Sequence, residues 1–226
     1  RRKPTTYFVN SMSDLFGEFV PFELIREVYN VMRQAKQHTF QVLTKRAERM
    51  LEFFGWLQDK EWDEAGELFR SAANVWLGVS AENQETYDER LPFIQHEYLP
   101  TSVRFLSLEP LLGPINVEDA FQEVDLGDED CPKWSVAVNW VIVGGESGPN
   151  ARPFNLRWAR DIVRQCNEAE VPVIIKQLGS HIIGTENNGF ADMVDTSIGW
   201  RARLRDPKGG NINEFPEDLR VRQFPD

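Results

Sequence analysis

Cysteine is scarce in this chain: its 226 residues hold only Cys131 and Cys166, far apart in sequence. Metal and cluster motifs draw three or four thiolates or imidazoles from short, regular spacings, so this chain alone supplies none. Histidine is scarce too. His38, His96 and His181 stand at no ligand spacing, and no metal ligand is assigned. Long apolar runs are missing, for none approaches the roughly 20 residues that cross a bilayer as a helix. No apolar signal region precedes the first strand-like segment either, so membrane insertion and secretion are not expected and a cytoplasmic setting is. Positive charge is in deficit, with 25 Lys and Arg against 36 Asp and Glu, for a formal net charge of -11. An acidic molecule repels phosphate backbones, which disfavours a broad grip on nucleic acid while leaving room for a local basic groove. A first methionine is lacking as well. Arg1-Arg2-Lys3-Pro4 leads almost directly into a strand, which suggests residues upstream.

What is present is ordinary in bulk: 41% hydrophobic and 27% charged residues suit a soluble globular domain, and the length suits one domain over residues 1–226. The informative feature is local. Six apolar runs each end in a polar cluster. Tyr7-Phe8-Val9 ends in Asn10-Ser11-Met12-Ser13-Asp14, Phe40 to Leu43 in Thr44-Lys45-Arg46, and Val75 to Val79 in Ser80-Ala81-Glu82. Val103 to Leu106 ends in Ser107-Leu108-Glu109-Pro110, Trp140 to Val143 in Gly144-Gly145-Glu146-Ser147, and Val173 to Ile175 in Lys176-Gln177.

Helical periodicity fills the intervals. Phe22, Ile25, Val28, Tyr29 and Met32 share a stripe over residues 21–33, and Met50, Leu51, Phe54 and Leu57 share another in a helix that starts at Thr44. Shorter helices are expected over 61–69 and 83–97, and one over 156–169. Alternating strands and helices with continuous apolar strands imply a parallel sheet with helices outside and right-handed crossovers. The fold class is therefore α/β. A parallel (β/α) barrel, TIM-like and incomplete if a strand precedes Tyr7, is favoured over a doubly wound open sheet. In an open sheet only strands beside the switch point carry functional ends, whereas here all six endings are polar. Residues 118–132, with Asp125, Asp128, Glu129 and Asp130, read as a solvated acidic insertion. Residues 206–226 read as an irregular C-terminal arm in which Leu219 to Pro225 is a short last strand or an extended segment.

Buried strands fix groups at their carboxyl ends while the following loops vary, so the six endings converge on one polar mouth that suits a small-molecule ligand. Gly144 and Gly145 let a ligand approach backbone amides, and Glu146 accepts hydrogen bonds from an ammonium or from ribose hydroxyls, or caps the next element. This run lacks the third glycine of a dinucleotide fingerprint. Lys45 and Lys176 follow strands directly. Each is a Schiff-base nucleophile, a charged holder of a carboxylate or phosphate, or a simple neutraliser of an acidic mouth formed with Asp14, Glu82, Glu109 and Glu146. Pro110 orders the backbone after Glu109. Arg46 and Arg49 contact an anionic ligand or stay solvated, and Trp76, Trp134, Trp140 and Trp158 are expected mainly in packing.

Phe8-Val9-Asn10-Ser11-Met12-Ser13-Asp14-Leu15-Phe16, His38 to Arg46, Trp76-Leu77-Gly78-Val79-Ser80, Glu109-Pro110-Leu111-Leu112-Gly113-Pro114 and Val143 to Gly148 together resemble one family. It is a family of phage-encoded and bacterial proteins of unknown function found in phage and prophage genomes. The resemblance covers almost the whole chain in order. It implies a further N-terminal segment with three closely spaced cysteines, placed after a strand that precedes Tyr7. Such thiolates resemble those of the radical S-adenosylmethionine superfamily, where they hold a four-iron four-sulfur cluster whose open iron chelates the methionyl group. By strand position, the resemblance implies Ser11, Ser13 and Asp14 at the methionine ammonium and Lys45 near its carboxylate. It places Ser80 and Glu82 near the ribose, and Glu109, Gly144 and Gly145 near the adenine.

Three functions are thus expected in competition. The first is part of a radical S-adenosylmethionine-type enzyme acting on a nucleotide, nucleic acid or macromolecule, with cofactors held only by the full-length protein. The second is an ordinary barrel lyase, isomerase or hydrolase using Lys45 or Lys176 with Glu109 and Glu146 as acid and base. The third is a non-catalytic phage binding protein.

Overall fold

The computed structural model of the chain describes residues 3–60, 72–123, 135–184, 193–196, 199–202 and 204–225. The expected helix over 61–69, most of the acidic insertion, Cys131 and Trp134 lie outside the described residues. The fold is α/β. Strands β1 (Thr6–Val9), β2 (Thr39–Thr44), β3 (Val75–Ser80), β4 (Arg104–Leu108), β5 (Trp140–Gly144) and β7 (Val173–Gln177) form a six-stranded sheet in the order β1-β2-β3-β4-β5-β7. The β1–β2, β2–β3 and β5–β7 pairs are parallel, as the apolar runs predict. No helix among the described residues is long and apolar enough to cross a membrane.

By its contacts the chain divides into two compact units, the first being Arg1–Ser80, Glu89–Leu106 and Gln122–Asn139 and the second Ala81–Asp88, Ser107–Phe121 and Trp140–Asp226.

In the first unit, helix α1 (Phe22–Gln34) starts after Pro21, whose φ of -62 suits a helix entry, and buries Ile25, Tyr29 and Met32 on one stripe. Helix α2 (Ala47–Lys60) buries Met50, Phe53, Phe54 and Leu57. Their rings meet edge-on, Phe53 to Phe54 at 5.0 Å and Tyr29 to Phe54 at 5.3 Å between centroids, each pair adding about 0.5–1.5 kcal/mol beyond burial. This helix starts at Ala47 and not at Thr44, because Thr44 is the buried last residue of β2: its hydroxyl accepts the Arg46 amide at 2.9 Å and donates to Asp14. Helix α3 (Gln84–Ile94), which belongs to this unit from Glu89 onward, is shorter than its expected span. A Cβ on Gly78 would fall 2.4 Å from the Phe105 ring, so β3 needs glycine where that ring lies on its backbone.

Arg104 is the buried cation of this unit. Its Nε donates to the Ile94 carbonyl and its Nη2 to the Leu99 carbonyl, both at 3.1 Å, which satisfies the acceptors where α3 ends. Burial lowers its pKa to about 10, so it stays charged at neutral pH.

In the second unit, β5 is buried along its length and the first three residues of β7 are buried. Helix α4 (Leu156–Glu168) is capped by the Asn155 side chain, which accepts the Arg157 amide at 2.9 Å, and buries Leu156, Ala159, Ile162, Val163 and Cys166. A second sheet, unexpected from the sequence, follows in the order β6-β8-β10-β9: β6 (Phe154–Asn155), β8 (Ile182–Gly184), β9 (Met193–Thr196) and β10 (Gly199–Ala202). The C-terminal arm settles as an extended segment beside β7. Ile175 donates its amide to the Val221 carbonyl at 3.0 Å and Gln223 donates to the Val173 carbonyl at 3.0 Å, so the arm covers the edge of β7 that faces away from β5.

Candidate functional site

In the first unit the polar ending of β1 folds onto that of β2. Asn10 takes φ 55, a left-handed conformation asparagine tolerates, and starts a turn in which Ser11 and Ser13 are exposed and Asp14 points back to the sheet. The Asp14 carboxylate accepts the Phe16 amide at 2.9 Å, the Thr44 hydroxyl at 2.8 Å and the Lys45 amide at 3.1 Å. It also takes Arg46 Nη1 at 3.2 Å. Asp14 and Lys45 are therefore brought together, but through the Lys45 backbone, with the lysine side chain exposed. Ser80 is buried, and its carbonyl accepts Arg90 Nη1 at 2.6 Å.

In the second unit the endings of β4, β5 and β7 meet. Glu109, joined to Pro110 by a cis peptide, accepts the Ser107 hydroxyl at 3.1 Å and Lys176 Nζ at 3.0 Å, both on Oε2. A Cβ built on Gly144 would lie 2.4 Å from Glu109 Oε1. That glycine makes room for the carboxylate. Gly145 has a different reason: a Cβ there would lie 2.3 Å from the Leu178 carbonyl oxygen, and one on Gly179 (φ +79) would lie 2.4 Å from the Glu146 carbonyl oxygen. The two loops after β5 and β7 thus touch backbone to backbone, joined by the Ser180 amide donating to Glu146 O at 2.8 Å.

Glu146 is engaged by a different partner, Arg152. Its carboxylate accepts Arg152 Nε at 2.7 Å, the Arg152 amide at 2.9 Å and Arg152 Nη2 at 3.1 Å. Those bonds hold its pKa down to about 2. Arg152 is shifted up in turn, first by the same hydrogen bonds and also by the charge of Glu82. Glu82 itself is fixed by its backbone: its amide donates to the Thr86 hydroxyl oxygen at 3.0 Å and its carbonyl accepts the Leu112 amide at 2.8 Å.

Three of these partners escaped sequence reasoning. Ser107 lies on β4 two residues before Glu109, which directly follows that strand, a usable signal for a shared face. Arg152 sits in the loop after Glu146, which carries Gly148 at φ +124, and nothing in the spacing shows the pairing. Thr44 was read as a helix residue.

Among the described residues no group of three or more His, Cys, Asp or Glu is placed to hold a metal ion. Cys166 is buried in α4, and desolvation pushes its thiol up to about 12, far from thiolate chemistry. Chemically, the second unit offers a strand-borne carboxylate beside a lysine, and an arginine-locked carboxylate on the loop after β5.

A family model described as protein of unknown function (DUF5131) matches residues 1–215. No curated protein and no solved structure matches the chain.

Proposed function

Since the chain belongs to the DUF5131 family, whose description assigns no activity, we propose a function from its strand ends: the complete protein is a phage-associated, radical S-adenosylmethionine-type enzyme. This chain provides groups that bind the cosubstrate. The phage association rests on the sequence resemblance alone. The observation that carries the reading is the Glu109–Lys176 pair, a carboxylate and an ammonium 3.0 Å apart at the carboxyl ends of β4 and β7, where parallel α/β sheets bind their ligands. A closed (β/α) barrel in the complete protein is part of the same proposal.

The described residues do not fit the iron–sulfur cluster itself, because the only described cysteine is buried in a helix and protonated. Its thiolates are assigned to a cysteine-bearing segment before β1. S-adenosylmethionine does fit the donor set, since its ammonium, ribose hydroxyls and carboxylate call for acidic acceptors and a cation. The bound cofactors supply one-electron chemistry.

Glu109 has a hydrogen-bonding role: Ser107 and Lys176 fix its orientation, so it presents an acceptor with little side-chain entropy left to lose. Lys176 is its ion-pair partner. Glu146, kept ionised by Arg152, acts as a permanent acceptor and holds no proton to give near neutral pH. These assignments do not favour an acid–base or Schiff-base lyase.

The test is reductive cleavage of S-adenosylmethionine by the complete protein, reconstituted anaerobically, against its Glu109→Gln and Lys176→Met variants. About tenfold or greater loss in each variant, the scale of losing a charge-assisted hydrogen bond, is expected. Wild-type activity in both variants rejects the assigned roles.

A further inference from the structure

In the second unit the parallel pairing of β5 with β7 keeps its register as far as Val143 opposite Ile175 and then shifts. Gly144 stands opposite Gln177, and Lys176 is left with no opposite residue on β5. The backbone bonds record the same step. Val141 donates its amide to the Pro172 carbonyl at 3.1 Å, and the even spacing of a parallel ladder would carry the Gly145 amide to the Lys176 carbonyl. That amide goes instead to the Gln177 carbonyl, at 2.9 Å. Lys176 is therefore a bulged residue, in a kind of ladder where bulges are rare. Its displaced carbonyl lies 3.5 Å from Arg222 Nη2, on the arm that covers the other edge of β7.

A bulge has to be held, because the extra residue gives up ladder bonds. Here the hold comes from Gln177. Its carbonyl accepts the Gly145 amide while its side-chain Nε2 donates to the Gly145 carbonyl at 2.7 Å, so one residue grips both backbone groups of another. The consequence falls on the lysine. Val173, Ile174 and Ile175 are buried, whereas Lys176 is exposed and its Nζ reaches Glu109 Oε2 at 3.0 Å. Bulges beside functional sites re-aim a side chain in this way, since the bulged residue leaves the strict alternation of the strand.

We infer that Gln177 is a positioning residue: by clamping Gly145 it fixes the bulge that aims Lys176 at Glu109. It acts through Lys176 and not on a ligand. The catalytic consequence rests on the function proposed above; the geometry does not.

Two measurements test it. In the first, the whole chain is treated with limiting acetic anhydride, and mass spectrometry reads the labelling rate at Lys176 against the exposed Lys36. Gln177→Met, which keeps the length of the side chain and removes the donor, should raise the Lys176 rate about fivefold, the scale of one lost hydrogen bond, with Lys36 unchanged. Gln177→Asn, shorter by one methylene, should act in the same direction. A Lys176 rate unmoved by both variants overturns the inference, as does an equal rise at Lys36. In the second, the complete protein is assayed for reductive cleavage of S-adenosylmethionine. Gln177→Met should lower the rate about fivefold in the wild-type background and cost nothing further beside Lys176→Met, because its effect passes through that side chain. Losses that multiply in the double variant overturn the positioning role. The expected labelling response in a protein that never cleaves S-adenosylmethionine upholds the bulge and rejects the proposed function instead.

Discussion

Lys176 Nζ stands 3.0 Å from Glu109 Oε2, a contact that joins the ends of two strands 67 residues apart in sequence. The lysine side chain is 56% exposed and the glutamate 16%. An ion pair so open to water stabilises a fold by about 0–1 kcal/mol, so its value lies elsewhere than in holding the unit together. Urea denaturation of Lys176→Met should show a loss of less than about 1 kcal/mol, while cosubstrate cleavage falls. Borohydride reduction with carbonyl compounds should add no mass at Lys176, since its Nζ is engaged by the Glu109 carboxylate. A trapped adduct there would favour the Schiff-base reading.

Gly144 and Gly145 look equivalent in the sequence and differ in what surrounds them. An added methyl at Gly144 meets the side-chain end of Glu109, which can give way at the expense of its bonds to Ser107 and Lys176, whereas one at Gly145 meets the backbone of Leu178 and Gly179. Gly145→Ala should therefore cost about 1–3 kcal/mol of stability, the usual scale for overpacking, and Gly144→Ala less. Gly144→Ala should still lower cosubstrate affinity by displacing the Glu109 carboxylate. Paired thermal denaturation and binding measurements check both; equal destabilisation by the two changes contradicts the packing described.

The Glu146–Arg152 clasp has a defined pH window. The folded-state pKa of Glu146, about 2, is depressed from the usual 4.5, so the stabilisation is present above 4.5 and is lost as pH falls toward 2. A carboxyl NMR titration should give a midpoint near 2, and Arg152→Gln should return it toward the usual value. A wild-type midpoint near 4.5 contradicts the clasp.

Arg104 carries structural weight. Its guanidinium also reaches the His96 carbonyl at 3.4 Å, so a leucine in its place leaves several buried acceptors without a donor. Arg104→Leu should cost about 3 kcal/mol, given about 1–3 for each unsatisfied buried group. Chemical denaturation measures it, and a loss below about 1 kcal/mol would show that water replaces the guanidinium.

The parallel strands and most of the helices were legible because buried strands read as continuous apolar runs and amphipathic helices repeat at 3.6 residues. The second sheet was not: β6 has two residues and β8 three, too few for alternation to show. Glu109 and Lys176 were legible as strand-end groups by position, yet their pairing depends on β4 and β7 reaching the same place in the second unit. Arg104 read as an ordinary strand residue, since its acceptors arise where α3 stops short at Ile94, a boundary that propensity does not mark. The helix start at Ala47 was missed because Asp14, thirty residues before Thr44, draws that residue out of the helix.

The central claim is that the complete protein works with an iron–sulfur cluster and S-adenosylmethionine. Iron analysis and electron paramagnetic resonance of the complete, anaerobically reconstituted protein test it most directly. About four irons per chain, with a reduced-state signal that changes when S-adenosylmethionine is added, is the predicted result. A complete protein that binds no iron contradicts it.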